Sequence, residues 1–68
     1  MSKNIGVSVN TRELPHIRAT SFCGLDESLL WEAVAEHKRT RCGITVAVSI
    51  TFIEDTGELE LCLFEDGV

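Results

Sequence analysis

The stretch Ile44-Thr45-Val46-Ala47-Val48-Ser49-Ile50-Thr51-Phe52-Ile53, followed across Glu54-Asp55-Thr56-Gly57 by Glu58-Leu59-Glu60-Leu61-Cys62-Leu63, decides the fold. Its first ten residues are nearly all β-formers, and Leu59, Leu61 and Leu63 recur with the period of two that marks a half-buried strand. A two-residue loop at Thr56-Gly57 sets position 54 opposite 59, 52 opposite 61 and 50 opposite 63, so that Ile50 and Phe52 share a face with Leu61 and Leu63. A three-residue loop over 55–57 would bring Phe52 beside Glu60. One residue of slip turns every side chain over, so the hydrophobic pattern selects the tight hairpin. The opposite face then carries Thr45, Ala47, Ser49 opposite Phe64, Thr51 opposite Cys62, and Ile53 opposite Glu60.

Upstream of this hairpin lies an amphipathic helix. Asp26 is a good N-cap for a segment that starts at Glu27-Ser28 and runs to about Arg41. At 100° per residue Ala33, Val34 and His37 fall within about 60° of Leu30, with Leu29 and Trp31 near the flanks and Glu32, Glu36 and Arg39 opposite. Acids lead the helix and Lys38, Arg39 and Arg41 close it, which complements the macrodipole, and Gly43 stands where a left-handed C-terminal residue is wanted. Further upstream, Asn4 to Asn10 alternates Ile5, Val7 and Val9 with Gly6 and Ser8, a first strand. Thr11 to Pro15 reads as a connection, and His16 to Phe22 as a second strand with Arg18, Thr20 and Phe22 on one face.

The predicted architecture is α+β: a single domain over residues 1–68, one helix on a three- or four-stranded antiparallel sheet, in the order β-β-α-β-β or β-α-β-β. At 7.5 kDa the folded chain buries about 60% of its unfolded surface, the marginal regime in which self-association helps. A sheet covered by one helix leaves its second face to water, and here that face presents Ala47, Ile53, Cys62 and Phe64. It is a candidate homodimer surface.

Three cysteines (Cys23, Cys42, Cys62) at unpaired spacing argue against a disulfide framework, and no apolar run is long enough to span a bilayer. Both features point to a cytoplasmic chain with no membrane partner. No cofactor is expected. Structural zinc sites bring two ligands within two to four residues, and Cys23, Cys42, Cys62, His16 and His37 show no such spacing; a metal or redox module is the weakest of three readings. A nucleophilic Cys42 would need His37 as its base, yet five helical residues place the two far apart around the axis, and the glycines are isolated rather than gathered into a phosphate loop. The expectation is therefore not an enzyme.

Charge is the specific signal. Residues 1–43 carry six basic and five acidic side chains, whereas residues 44–68 carry Glu54, Asp55, Glu58, Glu60, Glu65 and Asp66 and no cation, giving −5 overall. A net negative chain repels phosphate, which argues against direct nucleic-acid binding through Lys38, Arg39 and Arg41. The acidic hairpin instead attracts basic surfaces. These six carboxylates, with Trp31, Ile53 and Phe64 as anchors, form the candidate partner site of a small module that regulates or inhibits a basic, nucleic-acid-handling protein by covering it. Many phage and mobile-element inhibitors share this size and charge, an analogy of bulk properties and not of sequence. The second reading is an assembly subunit that forms a homo-oligomer through the open sheet face.

Overall fold

A computed structural model describes residues 6–40 and 43–66. Five elements follow in order: β1 (Val7–Glu13), β2 (Ile17–Gly24), α1 (Glu27–Thr40), β3 (Thr45–Ile53) and β4 (Glu58–Asp66). The strands form one antiparallel sheet in the order β1-β2-β4-β3, with α1 packed on one face. This is the four-stranded β-β-α-β-β arrangement, the first of the two that the hydrophobic patterns allow.

The helix begins as expected. Asp26 Oδ1 accepts the Ser28 N–H at 2.9 Å, and the Asp26 carbonyl takes the first helical amides, Leu29 at 3.1 Å and Leu30 at 3.2 Å. Its buried side chains are Leu30, Ala33 and Val34, which meet Phe22 of β2 and Leu61 and Leu63 of β4 to make the core. Val7 and Leu59 pack against its margin.

Three sequence expectations need correction. The first strand reaches Glu13 and does not stop at Asn10; its earlier part, Asn4 and Ile5, lies outside the described residues. Cross-strand pairs hold the extension in place, Thr11 Oγ1 to Thr20 Oγ1 at 3.4 Å and Glu13 to Arg18 at 3.2 Å. The chain reverses at Pro15-His16, where the Leu14 N–H donates to the Ile17 carbonyl at 2.8 Å.

The second correction concerns the register of the β3–β4 hairpin. Phe52 stands opposite Leu59, Ile50 opposite Leu61, Val48 opposite Leu63 and Ile53 opposite Glu58, two positions away from the tight-hairpin expectation. A two-residue turn of the favoured mirror-image type would need positive φ at Thr56, a costly conformation for a β-branched residue. Only glycines adopt positive φ among the described residues, and Gly57, at 75°, closes a four-residue loop over 54–57. Its N–H donates to the Ile53 carbonyl at 2.8 Å. Because the slip is even, Ala47 to Ile53 stay on their predicted faces; Thr45, expected on the open face, instead stands opposite Glu65 on the helix face. A bulge between Thr45 and Ala47 interrupts the ladder near its other end.

Third, Gly43 is not a left-handed helix terminator. Its φ is not in the positive range, and a Cβ there would meet Glu65 Oε2 at 3.1 Å. Small size, rather than backbone freedom, is what this position uses. Arg41 and Cys42, at the predicted end of the helix, lie outside the described residues.

Candidate interaction surface

β4 alternates strictly, so residues 59, 61, 63 and 65 face the helix and 58, 60, 62, 64 and 66 face away. The open face is built around Glu58, Glu60, Cys62 and Phe64 of β4. Ala19, Ser21 and Cys23 of β2 flank them on one side, and Ala47, Ser49, Thr51 and Ile53 of β3 on the other. Ile53, Cys62 and Phe64 are half-buried and Ala47 is exposed, so the face is partly apolar as the sequence suggests. A dip on this face is lined by Arg12, Ala19, Ser21, Cys62 and Phe64 among others.

Glu65 does not belong to any exposed site. Its side chain is 0% exposed. Period-two alternation carries it to the helix face beyond Leu63, and His37 of α1 sits above it with Nε2 3.1 Å from Glu65 Oε1. The imidazole also lies edge-on to the Phe22 ring, with centroids 5.8 Å apart. Oε2 has no hydrogen-bond partner among the described residues and is the atom that Gly43 makes room for. Arg18 and Thr45 are its neighbours on the two adjoining strands. A signal for this was present in the sequence: the alternation that fixes Leu61 and Leu63 continues to 65, and the helical wheel already puts His37 within about 60° of Leu30. His37 thus serves Glu65; its relation to Cys42 lies outside the described residues.

The remaining acidic residues separate by position along the strands. The β3–β4 loop, the Gly24 end of β2 and the start of α1 share one end of the molecule, which therefore gathers Asp26, Glu27, Glu54, Asp55, Glu58 and Glu60. No cation stands at that end among the described residues. Asp66 lies at the other end, opposite Ile17, together with Arg12, Arg18, Lys38 and Arg39. There, cations and acids are interleaved: Arg18 pairs with Glu13, and Arg39 with Glu36 at 3.7 Å. The sequence reading divided charge by chain position; folding divides it by strand direction, exchanging Glu65 and Asp66 for Asp26 and Glu27.

Trp31 is 43% exposed on the helix, its indole N–H donating to Glu27 Oε2 at 3.2 Å. It stands on the opposite side of the sheet from Ile53 and Phe64, so the three proposed anchors do not form one patch. Ile53 alone adjoins the acidic end.

Among the cysteines, Cys23 and Cys62 are free, and no three His, Cys, Asp or Glu side chains gather as a metal would require among the described residues. Burial, followed by the carboxylates of Glu60 and Glu58, pushes the Cys23 thiol above its ordinary pKa. Such a thiol carries little thiolate near neutral pH and is a poor nucleophile.

A further surface was not foreseen. α1 lies over β2, β4 and the near margin of β1, and its backbone stays away from β3, although the Lys38 side chain reaches Thr45 Oγ1. Val48, Ile50 and Phe52 therefore remain 41%, 42% and 59% exposed on the same sheet face where Leu61 is 0% and Leu63 1%. Facing the core does not guarantee cover when one helix must roof four strands.

No protein-family model, curated protein or solved structure matches this chain. No helix among the described residues is long and apolar enough to cross a membrane.

Proposed function

We propose that this chain is a small protein-binding module whose acidic end docks on a basic surface of a larger protein, and that it regulates or inhibits that protein by covering the surface. One observation carries the reading: Asp26, Glu27, Glu54, Asp55, Glu58 and Glu60 converge on one end of the molecule with no cation among the described residues there. Asp26 and Glu27 have a local duty at the helix start. The four hairpin carboxylates have none that the fold requires, and they are interleaved with no lysine, as an edge needing only solubility would allow. Concentrated charge of one sign speeds encounter with the opposite sign and fixes orientation, while Ile53 supplies apolar contact beside it. A protein that handles nucleic acid offers the complementary lysine- and arginine-rich site.

The test compares the wild-type chain with Glu54→Gln/Asp55→Asn/Glu58→Gln/Glu60→Gln, both tagged, as baits in native-host lysate eluted by a salt gradient. Wild type is expected to retain a basic protein that the variant loses, with far-UV circular dichroism unchanged. Equal retention by both baits rejects the acidic end as the docking surface.

A further inference from the structure

We infer that β3 is a self-pairing edge: two copies of this chain join antiparallel through Thr45–Ile53, making one eight-stranded sheet with both helices on the same side. The strand is outermost in the sheet, so its outer row of backbone N–H and C=O groups has no strand partner among the described residues. Natural edges are blunted by charge, proline or shortness. Across its nine residues β3 has no charge and no proline, and its one irregularity lies at the start, between Thr45 and Ala47. The other edge, β1, is shorter and carries Arg12 and Glu13.

Symmetry and charge identify the occupant. A two-fold axis perpendicular to the sheet relates antiparallel edges and keeps like faces together, so the exposed stripe of Val48, Ile50 and Phe52 continues into the same stripe of the second copy. Full overlap of the nine residues centres the pairing on Ser49, with Val48 opposite Ile50. Antiparallel pairing also reverses the charge axis. Glu54 of each copy, one residue beyond β3, arrives beside Ile44 and Thr45 of the other, where Lys38 already reaches Thr45. Parallel pairing would instead bring the two acidic ends together.

Light scattering and sedimentation of the full chain over a wide concentration range test this, with circular dichroism as the check on folding. The expected mass is that of two chains. Ile50→Lys and Val48→Lys, both at exposed positions, should weaken dimerisation at least about tenfold while leaving the monomer folded. Lys38→Glu and Glu54→Lys should each weaken it at low salt, and the two together should restore it, an outcome that a merely structural role for either residue would not produce. The proposal is overturned by a monomer at every concentration, by a dimer that Ile50→Lys leaves intact, or by one that only Phe64→Asp, on the open face, disrupts. Failure of the charge-swapped pair to recover overturns the antiparallel register. None of these outcomes depends on the acidic end binding a foreign protein.

Discussion

Leu61 and Ile50 stand directly opposite each other on the same face of the sheet, yet Leu61 is fully buried and Ile50 is 42% exposed. The difference lies wholly in the roof. A helix is about 10 Å across with its side chains, whereas four strands span about 15 Å between outer axes, so a single helix covers the two central strands and leaves the margins open. β2 and β4 hold Phe22, Leu61, Leu63 and Glu65 beneath α1, and β3 contributes an equally apolar row that α1 leaves 41–59% exposed. Apolar character alone therefore overstates what a strand contributes to the monomer. The central strands carry its stability, and β3 carries surface.

Truncation should expose this contrast most strongly. Leu61→Ala is expected to cost about 3–4 kcal/mol, enough to unfold much of a domain this small, whereas Ile50→Ala should cost under about 1 kcal/mol. Urea titration of both variants, at concentrations where the chain is monomeric, reads the difference; similar losses would mean that β3 is roofed after all. A second contrast sets the two carboxylate populations apart. Glu65→Ala leaves His37 without its partner under the helix and should destabilise by about 3 kcal/mol, while Glu60→Gln on the open face should stay within about 0.5 kcal/mol. Thermal melts separate these outcomes, and a harmless Glu65→Ala would show that the buried pair is dispensable.

The smallest effect concerns the space left for that pair. Gly43→Ala puts a Cβ 3.1 Å from Glu65 Oε2, so it should cost about 1 kcal/mol. Combined with Glu65→Ala, the penalty should vanish, because the atom it meets is gone. A double-mutant cycle on melting temperature measures the coupling. Additive losses would place the cost of Gly43→Ala in the backbone and not in contact with Glu65.

Most of the architecture was legible because it rests on parity. The alternation of Leu59, Leu61 and Leu63, the Leu30-Ala33-Val34 stripe and the Asp26 cap are local properties, and all reappear as predicted. The hairpin register was misread by two because loop length is set by which residue can take positive φ; Thr56 cannot do so cheaply and Gly57 can, so the loop grew at no cost to the faces. The interaction surface was less legible. Counting carboxylates along the chain assigned Glu65 and Asp66 to the acidic patch, but in an antiparallel hairpin sequence neighbours and spatial neighbours diverge with distance from the turn. Reading the charges by strand direction brings in Asp26 and Glu27 and removes the two at the far end. The bare flank of β3 was not visible at all, since nothing local says where across a sheet the helix will rest.

The strand order has a kinetic consequence. Each hairpin, β1–β2 and β3–β4, closes a short loop and can zip on its own within microseconds. The central ladder joins Phe22 to Leu61, residues from distant parts of the chain, and can form only once the intervening helix has brought the halves together. Closing that long loop is the entropic bottleneck of folding, and until it happens β4 and β2 are both edges too. The rate of reaching the native state should therefore respond to changes in Phe22, Leu61 and the helix stripe, whereas changes in the two turns should register mainly in how fast the molecule comes apart.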